Sequence, residues 1–261
     1  MAWMITGAEG MVGRNLTKYL TEKGYNVVAF EGDATKTFSW EQYEGEEYDA
    51  IIHLAAFAGV RPSMENPEAY YYNNTRCMEN FLKYGSKMTK KLIYASSSNA
   101  HEWWLNPYAA TKKMNECQAR SYKTVGMRFH TVFPGRDDML FRKLERKEVK
   151  YINEDHKRDF IHVRDLCAAI ETIAINFDAV YNYTLTYKVP YTDFPDPGVI
   201  DIGTGKSVSV KEVAELMGYE GEYVKGTSVG ERIETAADIQ CLLRLGWNPK
   251  RNILDVNCHT E

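Results

Sequence analysis

Three glycines, each three residues after the last, restrict what this chain can fold into more than any other feature. Gly7-Ala-Glu-Gly10-Met-Val-Gly13 follows the apolar run Trp3-Met-Ile-Thr6 and leads into a helical pattern closed by Gly24. A glycine triplet alone is weak, but strand, tight turn and helix in that order are the context a dinucleotide site requires. The glycines let the backbone approach a pyrophosphate, and the helix N-terminus supplies amide donors and a positive dipole end. Gly7, Gly10, Met11, Val12 and Gly13 are the candidate cofactor-binding residues here. The next strand pattern, Asn26-Val-Val-Ala-Phe30, ends at Glu31, where an acidic side chain can take the adenosine ribose hydroxyls about 20 residues beyond the glycines. Its charge repels a 2′-phosphate, so the pattern predicts NAD in preference to NADP. Asp33 is a rival partner, and an ordinary loop role for Glu31 is the alternative to both.

Further along, apolar runs alternate with helical stretches, which predicts a parallel α/β sheet. After a polar, poorly patterned segment from Gly32 to Asp49 comes a strand over Ala50–Leu54. A helix over about Asn66–Gly85, a strand over Lys91–Ala95, a helix through about Tyr122 and a strand over Val125–Phe129 follow. Beyond Phe133-Pro134-Gly135 the alternation loosens into a helix from Val163 to Asn176, a Tyr- and Pro-rich stretch from Asp178 to Gly198, a strand at Val199–Asp201 and a helix from Val208 to Met217. The fold class is α/β, a Rossmann-like doubly wound parallel sheet with a small C-terminal substrate-binding portion. With 261 residues the chain can bury a large core. A net charge of −4 without basic runs argues against nucleic acid as a partner. Five cysteines show no paired or metal-ligand spacing, so no metal is expected and the thiols read as reduced. The chain opens directly on a strand and holds no apolar stretch of membrane-spanning length, which predicts a soluble, cytoplasmic protein with no membrane partner.

Tyr108 and Lys112, four apart, share one helix face. An ammonium beside a phenol favours the phenolate and yields a base near neutral pH. Such a spacing alone is common on solvated helices; the glycine turn and Ser96-Ser97-Ser98 after an apolar run make the catalytic reading the stronger one. Ligands of such sheets bind beyond the carboxyl ends of the strands, where Gly7, Ala55, Ser97 and the loop after Phe129 all fall. His53 and His101 are lone histidines, read as packing or surface residues.

These motifs together resemble the extended short-chain dehydrogenase/reductase family, in its nucleotide-sugar epimerase branch. Thr6-Gly7 through Gly13, His53-Leu-Ala-Ala56, Tyr108-x-x-x-Lys112, Arg158-Asp-Phe160, Asp201-Ile-Gly-Thr-Gly205 and Leu245-Gly-Trp-Asn-Pro249 are similar to successive family signatures. Ala58-Gly-Val-Arg-Pro-Ser63, Tyr108 through Asn115 and Gly126 through Val132 look most like UDP-glucuronate 4-epimerases. The resemblance implies an NAD-dependent 4-epimerase of a UDP-hexuronate or UDP-hexose, and a homodimer; a dehydratase, decarboxylase or keto-reductase of the same family, or a non-catalytic cofactor-binding relative, is the alternative. Leu54, Ala55 and Ala56 would join the cofactor site. Tyr108 would be the base, Lys112 would hold the nicotinamide ribose and keep Tyr108 acidic, and Ser97 would act at the same sugar oxygen. Ser98 is the fallback for Ser97 and otherwise a substrate contact. Residues 1–133 with part of 155–205 would bind NAD, and 134–154 with 206–261 would form a small nucleotide-sugar-binding region.

Arg158 would contact the UDP phosphates; its alternative is a salt bridge to Asp159 or Asp165. Thr131 and Arg136 align with positions facing a C6 carboxylate, for which a guanidinium fork is suited. Arg136 pairing with Asp137 or Asp138 has equal standing. The resembling dehydratases need an Asp-Glu pair after the hydroxyl residue and decarboxylases a Glu, whereas Ser98-Asn99 supplies neither, which favours epimerisation. Three departures put substrate identity in question. Only nine residues separate Ser98 from Tyr108, the segment after Glu31 is short, and the basic residue expected before Gly230-Glu231 is missing, with Ser228 nearby and Arg232 as its substitute. The dimer contact would use the helices over 66–85 and 108–122, through Met78, Phe81, Leu82 and Met114.

Overall fold

The structure, a computed structural model, describes residues 2–186, 197–226 and 229–259; Ser228 lies outside them. The first strands are β1 (Ala2–Thr6), β2 (Asn26–Ala29), β3 (Ala50–His53), β4 (Leu92–Ser97) and β5 (Thr124–Phe129). The short β6 (Thr131–Phe133), β7 (Tyr151–Asn153), β8 (Lys157–Arg158) and β9 (Phe160–His162) follow, then β10 (Val199–Ile202), β11 (Val208–Ser209) and β12 (Glu222–Val224). Six of them form one parallel sheet in the order β10-β5-β4-β3-β1-β2. From β1 the chain steps outward to β2, returns to β3 on the other side of β1, and moves away through β4 and β5. That reversal opens a crevice at the carboxyl ends of β1 and β3, the ligand position in open α/β sheets. Register fixes what meets there: Thr6 lies opposite His53, and Ser97 opposite Phe129. Gly7, Leu54, Ser98 and His130 therefore leave the sheet along a single edge.

The helices are α1 (Met11–Glu22), α2 (Thr37–Glu41), α3 (Val60–Glu65), α4 (Pro67–Met88), α5 (Pro107–Ala119), α6 (Leu140–Glu145), α7 (Val163–Ile175), α8 (Phe177–Thr186), α9 (Val210–Leu216) and α10 (Gln240–Arg244). A 3-10 segment, Ser98–Leu105, joins β4 to α5. Alternation along the strands sends neighbours to opposite faces. Ile5, Ile52, Ile93 and Val125 pack with Leu16 and Leu20 of α1 and Leu166, Ile170 and Ile173 of α7. Met4, Ile51, Leu92 and Tyr94 pack with Met78, Phe81 and Leu82 of α4 and with Trp40 of α2. Both faces are covered, as a doubly wound sheet requires. A third cluster, including Phe133, Phe141, Ile152, Phe160, Val213 and Ile253, builds a smaller region past the sheet edge, while Ala237, Ile239, Leu242 and Trp247 join the main core.

Three expectations need correction. The segment from Gly32 to Asp49 contains α2, whose Trp40 is fully buried with its indole N–H donating to the Ala34 carbonyl at 3.0 Å. A five-residue helix is too short to reveal a 3.6-residue period. The Tyr- and Pro-rich stretch begins within α8; positions 187–196 lie outside the described residues. Met78, Phe81 and Leu82 are not subunit-contact residues, because the face of α4 that carries them points at the sheet and is buried within this chain. Of the four side chains read as interface spots, Met114 alone is exposed. Among the described residues no helix is long and apolar enough to cross a membrane.

Candidate active site

A cleft of about 900 Å³ follows the carboxyl edge of the sheet in strand order. Gly7, Gly10, Met11, Val12 and Gly13 line it beyond β1, and Leu54 and Ala56 beyond β3. Ser97 and Ser98 line it beyond β4, with Tyr108 and Lys112 of α5, then Thr131, Arg136, Arg158 and Arg232. Of the residues expected to act on or hold cofactor and substrate, Glu31 and Ala55 are not in its lining. The Ala55 amide donates to Thr6 Oγ1 at 3.2 Å instead.

The glycine turn is built by close approach. Gly7 sits at φ +68°, and a Cβ there would come within 2.8 Å of the Ala55 nitrogen. A Cβ on Gly13 would meet the Gly7 carbonyl oxygen at 2.1 Å, so α1 can pack on the turn only as it does with glycine. Gly10 caps α1 without a side-chain hydrogen bond. The first-turn amides thus face the part of the cleft lined by Gly10, Met11 and Val12, a donor set that fits a pyrophosphate. Glu31 stands exposed just past β2. Asp33 is committed elsewhere: its Oδ1 accepts from the Thr35 amide at 2.9 Å and hydroxyl at 2.8 Å.

At the centre, Ser97 ends β4 and its Oγ accepts from the backbone and side-chain nitrogens of Asn99, both at 3.2 Å. Tyr108 occupies the first turn of α5, started by Pro107 and capped by Asn106, whose Oδ1 accepts from the Ala109 amide at 2.7 Å. The Tyr108 amide donates to Ser63 Oγ at 3.1 Å, and the Tyr70 ring meets the Tyr108 ring edge-on at 6.4 Å. Lys112 is buried one turn on. Its Nζ donates to the Ala95 carbonyl at 2.9 Å and lies 5.9 Å from the Tyr108 ring centroid.

Burial raises the Tyr108 phenol above its ordinary pKa, and a hydrogen bond with Ser97 and the charge of Arg136 pull it back. The expected lowering by Lys112 is corrected: the cation that acts on this phenol is Arg136, while burial pushes Lys112 itself down to about 8. His53, stacked on Phe81 at 4.7 Å, is held neutral by burial at a pKa of about 3, as a packing residue.

Behind the cleft, Glu116 continues the Lys112 face by one more turn. Its carboxylate accepts from Arg128 Nε and Nη2 at 2.8 and 2.7 Å and from Ser96 Oγ at 2.7 Å, all buried. His101 Nε2 meets Asp201 Oδ1 at 2.9 Å, tying the 3-10 segment to β10. Both networks hold the frame on which Ser97 and Tyr108 stand. Neither they nor the Asn106, Ser63 and Tyr70 supports were read from the sequence. The i, i+4 spacing of Lys112 and Glu116 was the available signal.

Arg158 is not paired with Asp159 or Asp165. Its Nη1 donates to the Lys157 and Ile233 carbonyls at 2.9 Å, and its Nη2 is 3.8 Å from Glu231. Asp159 accepts from Thr204, Gly205 and Ala237, fixing the loop after β10. Asp165 accepts from the Lys250 and Arg251 amides and from Arg251 Nη1. Arg232 donates to the Ser98 carbonyl at 2.8 Å and to Glu102 at 2.5 Å. Arg136 makes a two-pronged pair with Asp138, the second of its two readings.

The profile of a family described as the NAD dependent epimerase/dehydratase family matches residues 3–185. Protein CapI of Staphylococcus aureus is 29% identical, covering 98% of this chain and 96% of its own length. That alignment extends over 325 positions against a chain of 261, so the relative carries internal segments that this chain lacks. A UDP-glucuronate 4-epimerase of Thermodesulfobacterium geofontis is 26% identical over 96% of this chain and 92% of its own. The solved structure of MoeE5 in complex with UDP-glucose and NAD superposes with a TM-score of 0.76 at 26% identity, covering 97% of this chain and 95% of that one.

Proposed function

The chain belongs to the NAD dependent epimerase/dehydratase family, and from that membership we propose that it is a nucleotide-sugar 4-epimerase acting on a UDP-hexuronate or a UDP-hexose. The observation that carries the reading is the convergence of Ser97, Tyr108 and Lys112 on a cleft that begins at the glycine turn. Similar proteins named UDP-glucuronate 4-epimerase and the MoeE5 complex with UDP-glucose and NAD support the substrate class and cofactor.

Bound NAD supplies a hydride acceptor and donor. The uncapped amides at Met11 and Val12 would hold its pyrophosphate, Glu31 its adenosine ribose and Lys112 its nicotinamide ribose. Tyr108 Oη takes the proton of the sugar 4-hydroxyl as C4 becomes a ketone, and returns it after the sugar has turned over and C4 is reduced on its other face. Ser97 Oγ shares that oxygen and orients it. Thr131, Arg136, Arg158 and Arg232 line the substrate half, with Arg158 and Arg232 set for the diphosphate. Ser98-Asn99 provides no carboxylate where elimination or decarboxylation needs one, which weighs against the dehydratase and decarboxylase alternatives.

A homodimer formed through α4 and α5 and a cytoplasmic site of action belong to the same reading; the five cysteines are free, which accords with a reducing compartment. The test is NMR of a UDP-sugar panel incubated with the NAD-loaded protein. The C4 epimer of one sugar should appear. A 4-keto-6-deoxy product or loss of CO₂ would replace the proposal with a dehydratase or decarboxylase.

A further inference from the structure

A serine hydroxyl has one proton to donate and two lone pairs with which to accept. At Ser97 a single residue takes both lone pairs. The backbone N–H of Asn99 and its side-chain Nδ2 each donate to Ser97 Oγ at 3.2 Å. The first bond caps the 3-10 segment Ser98–Leu105, and the second returns to the same oxygen from the side chain. Ser97 is buried except where it lines the cleft, and Asn99 lines the cleft beside it.

An oxygen whose two accepting positions are filled keeps only its O–H free, and that bond points away from both donors. Ser97 can therefore donate a hydrogen bond into the cleft but has no lone pair left to receive a proton. We propose that Asn99 is a positioning residue that commits Ser97 to the donor role, aiming its proton at the sugar oxygen and leaving proton removal to Tyr108 alone. This rests on the 4-epimerase reading above. It divides the work of two hydroxyls at one oxygen: Tyr108 moves the proton, and Ser97 stabilises the charge that develops, as a preorganised donor does. The pull of Ser97 on the Tyr108 phenol agrees, since a hydroxyl favours a phenolate only by donating to it. The carboxamide is what this arrangement requires, because its nitrogen donates and cannot accept. An aspartate has the same shape and, when ionised, can only accept. Asn99→Asp would therefore draw the Ser97 proton out of the cleft.

The experiment places Asn99→Asp and Asn99→Ala in the wild-type and Ser97→Ala backgrounds of the NAD-loaded protein. Epimerisation kinetics are read by NMR. The Tyr108 titration is read from tyrosine labelled with carbon-13 at Cζ, its signal assigned by loss in Tyr108→Phe. Asn99→Asp should lower kcat on the order of 10²-fold with KM nearly unchanged, the worth of one preorganised donor. Asn99→Ala, which adds no charge, should lower kcat by about 2- to 10-fold, the worth of a neutral hydrogen bond. Without Ser97 the same substitutions should cost less than about threefold, because Asn99 acts through that hydroxyl. Tyr108 should titrate at higher pH in Asn99→Asp, and most of that shift should vanish in the Ser97→Ala background. Near wild-type kcat in Asn99→Asp would mean that the amide oxygen faces Ser97, and would overturn the proposal. Equal losses with and without Ser97 would also overturn it, as the mark of a purely structural or electrostatic effect. If the wild type turns over no sugar, the epimerase reading fails and the titrations decide alone. A Tyr108 shift that depends on Ser97 then upholds the role of Asn99, and a shift that does not depend on it, or no shift, ends it.

Discussion

Replacing Lys112 by methionine is expected to raise stability at neutral pH while abolishing turnover. Lys112 is 3% exposed, and burial brings its pKa from 10.5 to about 8. At about 1.4 kcal/mol per tenfold change in proton affinity, keeping it charged in the folded state at pH 7 costs roughly 3 kcal/mol. Methionine keeps the length and the apolar stem and removes that cost. It also removes the donor to the Ala95 carbonyl, which returns about 1–3 kcal/mol of destabilisation. The expected net gain is about 0–2 kcal/mol. The pH dependence carries the sign. The unfolded lysine holds its proton up to about 10.5 and the folded one releases it near 8, so wild-type stability rises with pH through that window. The advantage of the variant should shrink by about 2 kcal/mol between pH 7 and 9.5. Urea unfolding of both proteins at the two pH values measures this, and titrations common to both cancel in the difference. A variant less stable than wild type at pH 7, or a difference that does not change with pH, would refute the argument that this lysine is held in a costly position for its function.

Tyr108→Phe should leave NAD and UDP-sugar binding nearly intact, measured by calorimetry, and lower turnover by roughly 10² to 10⁴; an active variant would remove Tyr108 as the base. Ser97→Ala deletes one of the two influences that pull the Tyr108 pKa down. Because the phenolate is the active form, the rising limb of the pH–rate profile should move to higher pH, and a limb that stays in place would show that Ser97 does not tune this phenol.

Much of the fold was legible because it is local. The glycine turn, the apolar strands and the helix carrying Tyr108 and Lys112 each announce themselves within a dozen residues. What escaped depends on partners distant in the chain. Glu116 finds Arg128 and Ser96 only once α5 lies beside β4 and β5, and Asn106 donates to the Gly230 carbonyl at 2.9 Å across 124 positions of the sequence. Apolar residues on α4 signal a buried face but not what buries it, and the sheet, not a partner subunit, covers Met78, Phe81 and Leu82. The Tyr108 pKa is hidden for a similar reason: spacing shows Lys112, but burial and Arg136 come from tertiary structure. For Arg136 the sequence offers a substrate carboxylate and a neighbouring aspartate alike, and the aspartate, two residues away, holds it.

Transient oxidation at C4 is the central claim, and the fate of the C4 hydrogen tests it most directly. UDP-glucose and UDP-glucuronate carrying deuterium at C4 would be incubated with the NAD-loaded protein in ordinary water and followed by NMR. A hydride that leaves C4 and returns to the same carbon never exchanges with solvent, so the C4 epimer should form with its deuterium retained. Epimer that has lost the label to water, inversion at another carbon, or no epimer of either sugar would contradict the account.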